Sequence, residues 1–598
     1  QTDLTQSPTV RVMPPGEVIA ALQRMERAPH SHVTSVVARE IARREGVKAV
    51  LAGEINAAGT GYLLTAQLVS AESNEILTAV RVTARDSTQV IDAIDELSAR
   101  LRERIGESLR TIRRSPSLSR VTTASLPALR RYTRALEAED QGDSDRAMAL
   151  LEEAIAMDTA FAMAYRKLGV IIGNRMLSRA GRIHALTRAY QHRERLTERE
   201  AYLAEAAYHN DVTGEEERAI QALEALLDLD PDDSWALNNL GVVYDRRREH
   251  ARAAQAFAHS FEVDSLNPLS IINLAGTMMD LGDLAGADTV IAVAASMFPT
   301  DPSVAEKKAQ LHFARGDYGR AASVIDSLRE ATQSPYWRLG RAPVILLFLD
   351  VLMGRTKSAD RRLEEFAAAA ERLGTGGLYL SFASRKAQHD VYVRGLSAEA
   401  EELLDASVDR FMEPLAPEDR FYFDLAQAYA VAGNIDRARE LLAEGERVLD
   451  PWFFEQVRGD YHSARGYIAL AEERFSDAVT QFELMDAELG CTICPLHGMG
   501  TAYRMANEPD SAIAVFERYV NAPRSTGIIY DATWLASVYI HLGELYEERG
   551  NSGRAADYYN RLLELWQNAD PELQPRIEMA RAALERLQGE STDSVGSG

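Results

Sequence analysis

The feature that most constrains this chain is a pattern returning every 34 residues. Residues 234–268 place Leu237, Leu240-Gly241 and Tyr244 before a short polar break, then Ala253, Phe257 and Pro268 after it. Apolar residues fall at helical spacing on both sides of the break, so the unit reads as two helices joined by a turn. Small residues stand where the helices cross closely and large ones where the crossing leaves room. One period on, Ile271, Leu274-Ala275, Met278, Ala287, Ile291 and Pro302 take the same places; one further, Ala321 and Ile325 follow the turn Gly316-Asp317-Tyr318. A unit that cannot bury its own apolar face stacks on its copies, and the expected fold is mainly α, an α-solenoid.

The small second-helix residue recurs at Ala147, Ala185, Ala219, Ala253, Ala287, Ala321, Ala359, Ala400, Ala438, Ala478, Ala512 and Ala555. The step is 34 from Ala185 through Ala321 and from Ala478 to Ala512, and about 38–43 elsewhere. About twelve helix pairs are expected over residues 128–570. A helix at 575–587 (PRIEMARAALERL) within 571–588 reads as the cap that shields the last apolar face, and the Ser/Gly/Asp-rich residues 589–598 read as a disordered tail.

Leu-Gly, then Tyr, then Ala and a bulky residue, then Pro, at these spacings, resembles the tetratricopeptide repeat (TPR) family. In that family the first helices line the ligand-binding face. The resemblance carries peptide binding onto Asn239, just before Leu240, Asn273, just before Leu274, and Lys307, the equivalent position one period further on. A carboxamide both donates and accepts, so asparagine there pairs with a peptide backbone whatever its sequence. The bland alternative is a solvated polar face. Neighbouring Asp245, Arg246, Glu306 and Gln310 are mixed in charge and leave the partner's charge open.

Residues 1–112 do not repeat. They read as a small α/β domain with a mixed sheet: a strand at 9–13, helices at 16–27 and 34–44, strands at 49–55, 62–70 and 76–84, and a long helix at 87–112. Residues 113–127 (RRSPSLSRVTTASLP) read as a solvated Ser/Pro-rich linker. The phrases VKAVLAGEI, GYLLTAQLV and LRERIGESLR, with RLTERE at 195–200, PDSAIAVFERYV at 509–520 and DPELQPR at 570–576, resemble bacterial receptor-like serine/threonine kinases. In those proteins a kinase domain and a membrane helix precede such a module and its TPRs. No Gly-rich phosphate loop, His-Arg-Asp loop or Asp-Phe-Gly is present. The resemblance therefore implies a sensor or interaction half lying outside the cytoplasmic membrane, in the periplasm or at the cell surface; without it the expected compartment is the cytoplasm. The polar opening at Gln1 has no signal-peptide pattern and hints at a processed or truncated start.

At 598 residues the chain exceeds what one core supports, and 46% hydrophobic with 26% charged residues describes an ordinary globular composition. A net charge of −24 argues against nucleic-acid binding, which needs a basic footprint. The longest apolar run, 344–353, is too short to span a membrane and is broken by Asp350, so no membrane insertion is expected beyond a tether upstream.

The two cysteines, Cys491 and Cys494, stand in GCTICPLHGMG. Haem attachment fails because Pro495, not His, follows. Zinc on Cys491, Cys494 and His497 lacks an evident fourth ligand. A local disulfide outside the cytoplasm and buried thiols inside it both remain. The histidines of PHSHV at 29–33 read as an exposed loop, and GTGG at 374–377 as a helix stop. No cofactor, metal or catalytic residue is expected. The function expected is a non-catalytic scaffold or sensor that binds a protein or peptide. The rivals are a self-assembling filament component and a ligand-binding or enzymatic α/β domain carried on a repeat scaffold.

Overall fold

The structure is a computed structural model. It describes residues 33–115, 117–140, 142–265, 267–489, 491, 493–523 and 527–596, with scattered positions before residue 33; side chains are described except at 113, 114, 140, 489 and 589–596. The two histidines of 29–33 lie outside the described residues; of the expected strand at 9–13, Val10, Val12 and Met13 are described and are not strand, and of the expected helix at 16–27, Val18, Ala21, Leu22 and Arg24 are described as helical. The chain divides into two compact units. One comprises residues 1–174, 181–240 and 258–270, the other residues 175–180, 241–257 and 271–598.

The small domain at the start of the first unit opens, in the described residues, with the helix Ser35–Arg44, whose N-terminus is capped by the Thr34 hydroxyl. Strands β1 (Ala49–Ala58), β2 (Gly61–Ser70) and β3 (Ile76–Ala84) form a sheet in the order β1-β2-β3. Both pairings are antiparallel, so among the described residues the sheet is not mixed as expected. The connections explain this. Gly59 turns at φ +63° and Asn74 at +60°, and loops this short can only reverse a strand. Leu64, Val82 and Ala84 pack against Val90 and Ala93 of the next helix.

That helix, Val90–Arg104, ends well before the expected residue 112. Gly106 adopts φ +96° and the Glu107 N–H donates to the Arg102 carbonyl at 3.0 Å, a Schellman closure; Ser108 then caps the separate helix Leu109–Arg114. Arg102 and Glu107 pair inside the domain, Nε to Oε2 at 2.9 Å, with both side chains about fully buried. The segment expected to be a solvated linker is partly packed. Leu118 and Val121 are buried on a short helix, the Leu118 N–H donates to Asp95 at 2.8 Å, and the buried Thr123 hydroxyl donates to Asp158 at 2.6 Å.

Twelve helix pairs follow in the described residues. Pairs 1 to 3 begin at Leu126, Ala162 and Glu198. Pair 4 is Ser234–Arg246 with His250–Val263, pair 5 Pro268–Asp280 with Leu284–Met297, and pair 6 Pro302–Ala314 with Tyr318–Ala331. Pair 7 is Ala342–Leu352 with Thr356–Leu373, pair 8 Gly376–His389 with Ser397–Phe411, and pair 9 Tyr422–Ala432 with Ile435–Val448. Pair 10 is Arg458–Ala471 with Phe475–Leu489, pair 11 Leu496–Met505 with Pro509–Asn521, and pair 12 Ile528–Glu548 with Ser552–Leu565. The last helix runs Gln574–Gly596, past the expected cap and through the residues expected to be disordered, since propagating a formed helix costs little per residue.

Local chemistry makes the pairs. In five of them the first helix closes on a glycine with φ between +71° and +100° that is followed directly by a capping Asp or Asn: Gly142, Gly282, Gly316, Gly433 and Gly550. The next residue, Asp143, Asp283, Asp317, Asn434 or Asn551, accepts from the backbone N–H three residues on and caps the second helix. All twelve alanines of the recurring position are buried to 0 or 1% exposure. Opposite them, glycines let the helices close. A methyl group at Gly241, Gly466 or Gly543 would stand 2.6 Å from a ring carbon of Phe257, Phe482 or Tyr559. Enlarging the small side has a defined cost: Ala253→Phe is expected to lower stability by about 1–3 kcal/mol through overpacking, read as a drop in melting temperature.

In the second unit the array closes on itself. The first helix of pair 7, APVILLFLDVL, is buried at every residue and packs against the first helix of pair 12, as does that of pair 8. The turn Pro571–Leu573 ties the closure. The Asp570 N–H donates to the Gly354 carbonyl at 3.0 Å, and Glu572 accepts from Thr356 at 2.8 Å and Arg394 at 3.0 Å. Among the described residues no helix is long and apolar enough to cross a membrane.

Candidate functional site

The sequence-expected residues lie on the first helices of three pairs. Asn239, Asn273 and Lys307 each occupy the sixth position of the first helix in pairs 4, 5 and 6, and each is half-buried. Lys307 is more than a solvated amine. Burial lowers its ammonium pKa, opposed by the charges of Glu306 and Asp280. Glu306 in turn pairs with Arg341 at 2.5 Å. Asp245, His250 and Asp280 bring one ligand atom each within 4.8 Å of the others. Asp245 already accepts from Thr277 at 3.0 Å and contacts His250 Nδ1 at 2.9 Å. Lys307 also acts on Asp245 and Asp280 through its charge, so a cation is already supplied there. This stretch is a mixed-charge network, which is why the partner's charge could not be read from it.

The 34-residue window passed over the densest constellation, which lies in the second unit on the first helices of pairs 8, 9 and 10. Two polar rows run across them, one helical turn apart. Arg385, Asp424 and Asp460 form one; Gln388, Gln427 and Ser463, each three residues on, form the other. The second row is a buried ladder: Gln427 Nε2 donates to Gln388 Oε1 at 2.8 Å, and the Ser463 hydroxyl donates to Gln427 Oε1 at 2.8 Å. The first row is half-buried and looser. Asp424 accepts from the Ser381 hydroxyl at 3.3 Å and from Arg385 at 3.5 Å. Burial pushes the Asp460 carboxyl up to about 6, helped by the Asp424 charge and opposed by Arg179 and Arg385. The Arg385 guanidinium lies over Tyr530 and Trp534 of pair 12, 5.2 and 5.4 Å from the ring centres. These residues escaped because pairs 7–10 are stretched: Ala359, Ala400 and Ala438 stand 41 and 38 residues apart, and a fixed period slides off register.

His497 has no capacity left for a metal. Its Nδ1 meets the Tyr467 hydroxyl at 3.2 Å and its Nε2 the Ser537 hydroxyl at 3.1 Å, while its ring stacks on Trp534 at 5.1 Å. Burial drives its pKa well down, which keeps the ring neutral. Cys491 and Cys494 are joined as a disulfide with Cα atoms 5.6 Å apart, leaving no thiolate for zinc. Gly374 ends a helix with φ +66°, and Gly376 and Gly377 open the next.

Comparison with known proteins agrees on the repeats. One tetratricopeptide-repeat family model matches residues 132–172, 213–259 and 389–451, and a second matches 536–566. No curated protein matches. Among solved structures, a tetratricopeptide repeat protein from Parabacteroides merdae is similar at 18% identity and a TM-score of 0.26, over 48% of this chain and 100% of that one. A human IFIT1 dimer with m7Gppp-AAAA is similar at 13% identity and a TM-score of 0.34, over 80% of this chain and 95% of the other. Tetratricopeptide repeats are thus present along this chain, and its helix pairs build a TPR-like solenoid.

Proposed function

We propose that this chain is a non-catalytic scaffold that binds a protein or peptide along the face formed by its first helices. One observation carries the reading: Asn239, Asn273 and Lys307 recur at the sixth position of the first helix in three successive pairs, each half-buried. Side chains held by packing at a regular step suit the regular step of an extended segment, and a carboxamide reads its backbone. Display of random peptides on the full chain, repeated with Asn239→Ala/Asn273→Ala, tests this. The expected result is enrichment by the parent chain and affinity at least about tenfold weaker in the variant at an unchanged melting temperature. Equal affinity in the two proteins would overturn it.

A finer form of the reading makes the chain the sensor or interaction half of a bacterial receptor-like kinase, lying outside the cytoplasmic membrane. The phrases of the opening domain and of residues 195–200, 509–520 and 570–576 support it, and the Cys491–Cys494 disulfide suits an oxidising compartment. The coding sequence upstream of Gln1 tests it. A kinase domain followed by a membrane helix is expected; an immediate start codon would remove the reading.

A further inference from the structure

The row Arg385–Asp424–Asp460 has unfilled polar capacity of both signs. On the acceptor side, among the described residues no hydrogen-bond donor reaches Asp460, and Asp424 is held only by the two long contacts given above. Both carboxylates line a depression walled by Phe421, Phe423 and Phe453, with Arg179 at its side. On the donor side, Arg385 Nη1 and Trp534 Nε1 are buried without a hydrogen-bond partner, and the two side chains lie against each other. Trp534 is 1% exposed and the Arg385 side chain 11%. Leaving polar groups of this kind unmade is costly, and the two loosely held carboxylates at the depression mark where a partner supplies the complement.

We propose that this row, with Tyr530, Trp534 and the three phenylalanines, is the subsite that reads a lysine or arginine side chain of the bound segment. The inference rests on the peptide-binding reading above. A basic side chain supplies what the two carboxylates lack, and its methylene stem suits walls of phenylalanine. Burial, helped by the Asp424 charge and opposed by Arg179 and Arg385, raises the Asp460 carboxyl, and a cation paired with it offsets that penalty. The net charge of −24 steers basic segments toward the molecule from a distance.

The test uses the full chain and short capped peptides that alternate alanine with lysine, with glutamate or with glutamine. Titration calorimetry near physiological salt compares the parent, Asp424→Asn/Asp460→Asn, and a control that removes two exposed acids, Asp232→Asn/Asp436→Asn. The lysine peptide is expected to bind the parent most tightly. It should lose at least about tenfold in the first variant and less than about threefold in the control, with the first variant melting no lower than the parent. Preference for the glutamate peptide, or equal losses in variant and control, would overturn the subsite. Unchanged lysine-peptide affinity in the first variant would overturn it while leaving the groove reading standing. If none of the three peptides binds, both readings fall.

Discussion

Glu107→Ala is expected to destabilise the opening domain by about 3–5 kcal/mol, the largest single effect in the molecule. Arg102 is 2% exposed, and its guanidinium spends two nitrogens on Glu107 and one of them also on Ser115 at 2.9 Å. Truncating the acid strands a guanidinium in a fully buried site where Ser115 is its other hydrogen-bond partner. Removing both charges together, as Arg102→Met/Glu107→Leu, is expected to recover most of the loss, because the penalty lies in the uncompensated charge. Hydrogen exchange on the full chain checks this: protection across β1–β3 should collapse in the single variant and return in the double, with the helix pairs from 4 onward unchanged.

Asp460→Asn is expected to stabilise the protein at pH 7.5 by about 2 kcal/mol and to flatten its pH profile. The sign follows from the folded value of about 6 against an ordinary 3.8. A carboxyl group raised on folding contributes its full stability below pH 4, where both states are protonated, and loses it as pH rises through 6. The groups facing it are Asp424, Arg179, Arg385 and Tyr530. The parent should therefore gain stability between pH 7.5 and 5, a window that lies above the acid range where depressed groups such as Asp390 and Glu472 give theirs up. Denaturant titrations at several pH values measure this. A parent profile flat from 5 to 7.5, or a variant less stable than the parent at pH 7.5, would show that Asp460 is charged without penalty. A residue that weakens the fold while lining a recognition face is what a site selected for binding contains.

Much of this architecture was legible because repetition averages out local ambiguity. One alanine in one helix says little, but twelve at a near-constant step locate every second helix, and all twelve are buried. The Gly-Asp and Gly-Asn turns add boundaries that hydrophobic period alone leaves loose. Legibility failed where a contact depends on residues far apart in sequence. Nothing near Val344 announces that its helix meets Val538's helix rather than lipid or solvent, and nothing near Arg385 announces Tyr530 and Trp534. The break at Gly106 was missed for a different reason: the residues around Ile105 keep helical spacing, and only the left-handed glycine followed by Ser108 marks the stop. The linker was misread by composition, which cannot see that Leu118 and Val121 are apolar plugs among serines.

The join between pairs 7 and 12 changes what kind of object the second unit is. An open solenoid is a one-dimensional chain of neighbours, able to fray from an end or lose a terminal unit while the remainder persists. Fastening the first helix of pair 7 to that of pair 12, and Gly354 to Asp570, turns the row into a loop whose ends depend on each other. Such a loop has no terminal member to spare. Its six pairs should unfold together, and they must pay the entropy of one long closure before the join rewards them. Ribosomal synthesis delivers pair 12 well after pair 7, so the largely apolar first helix of pair 7 waits uncovered until pair 12 has been made.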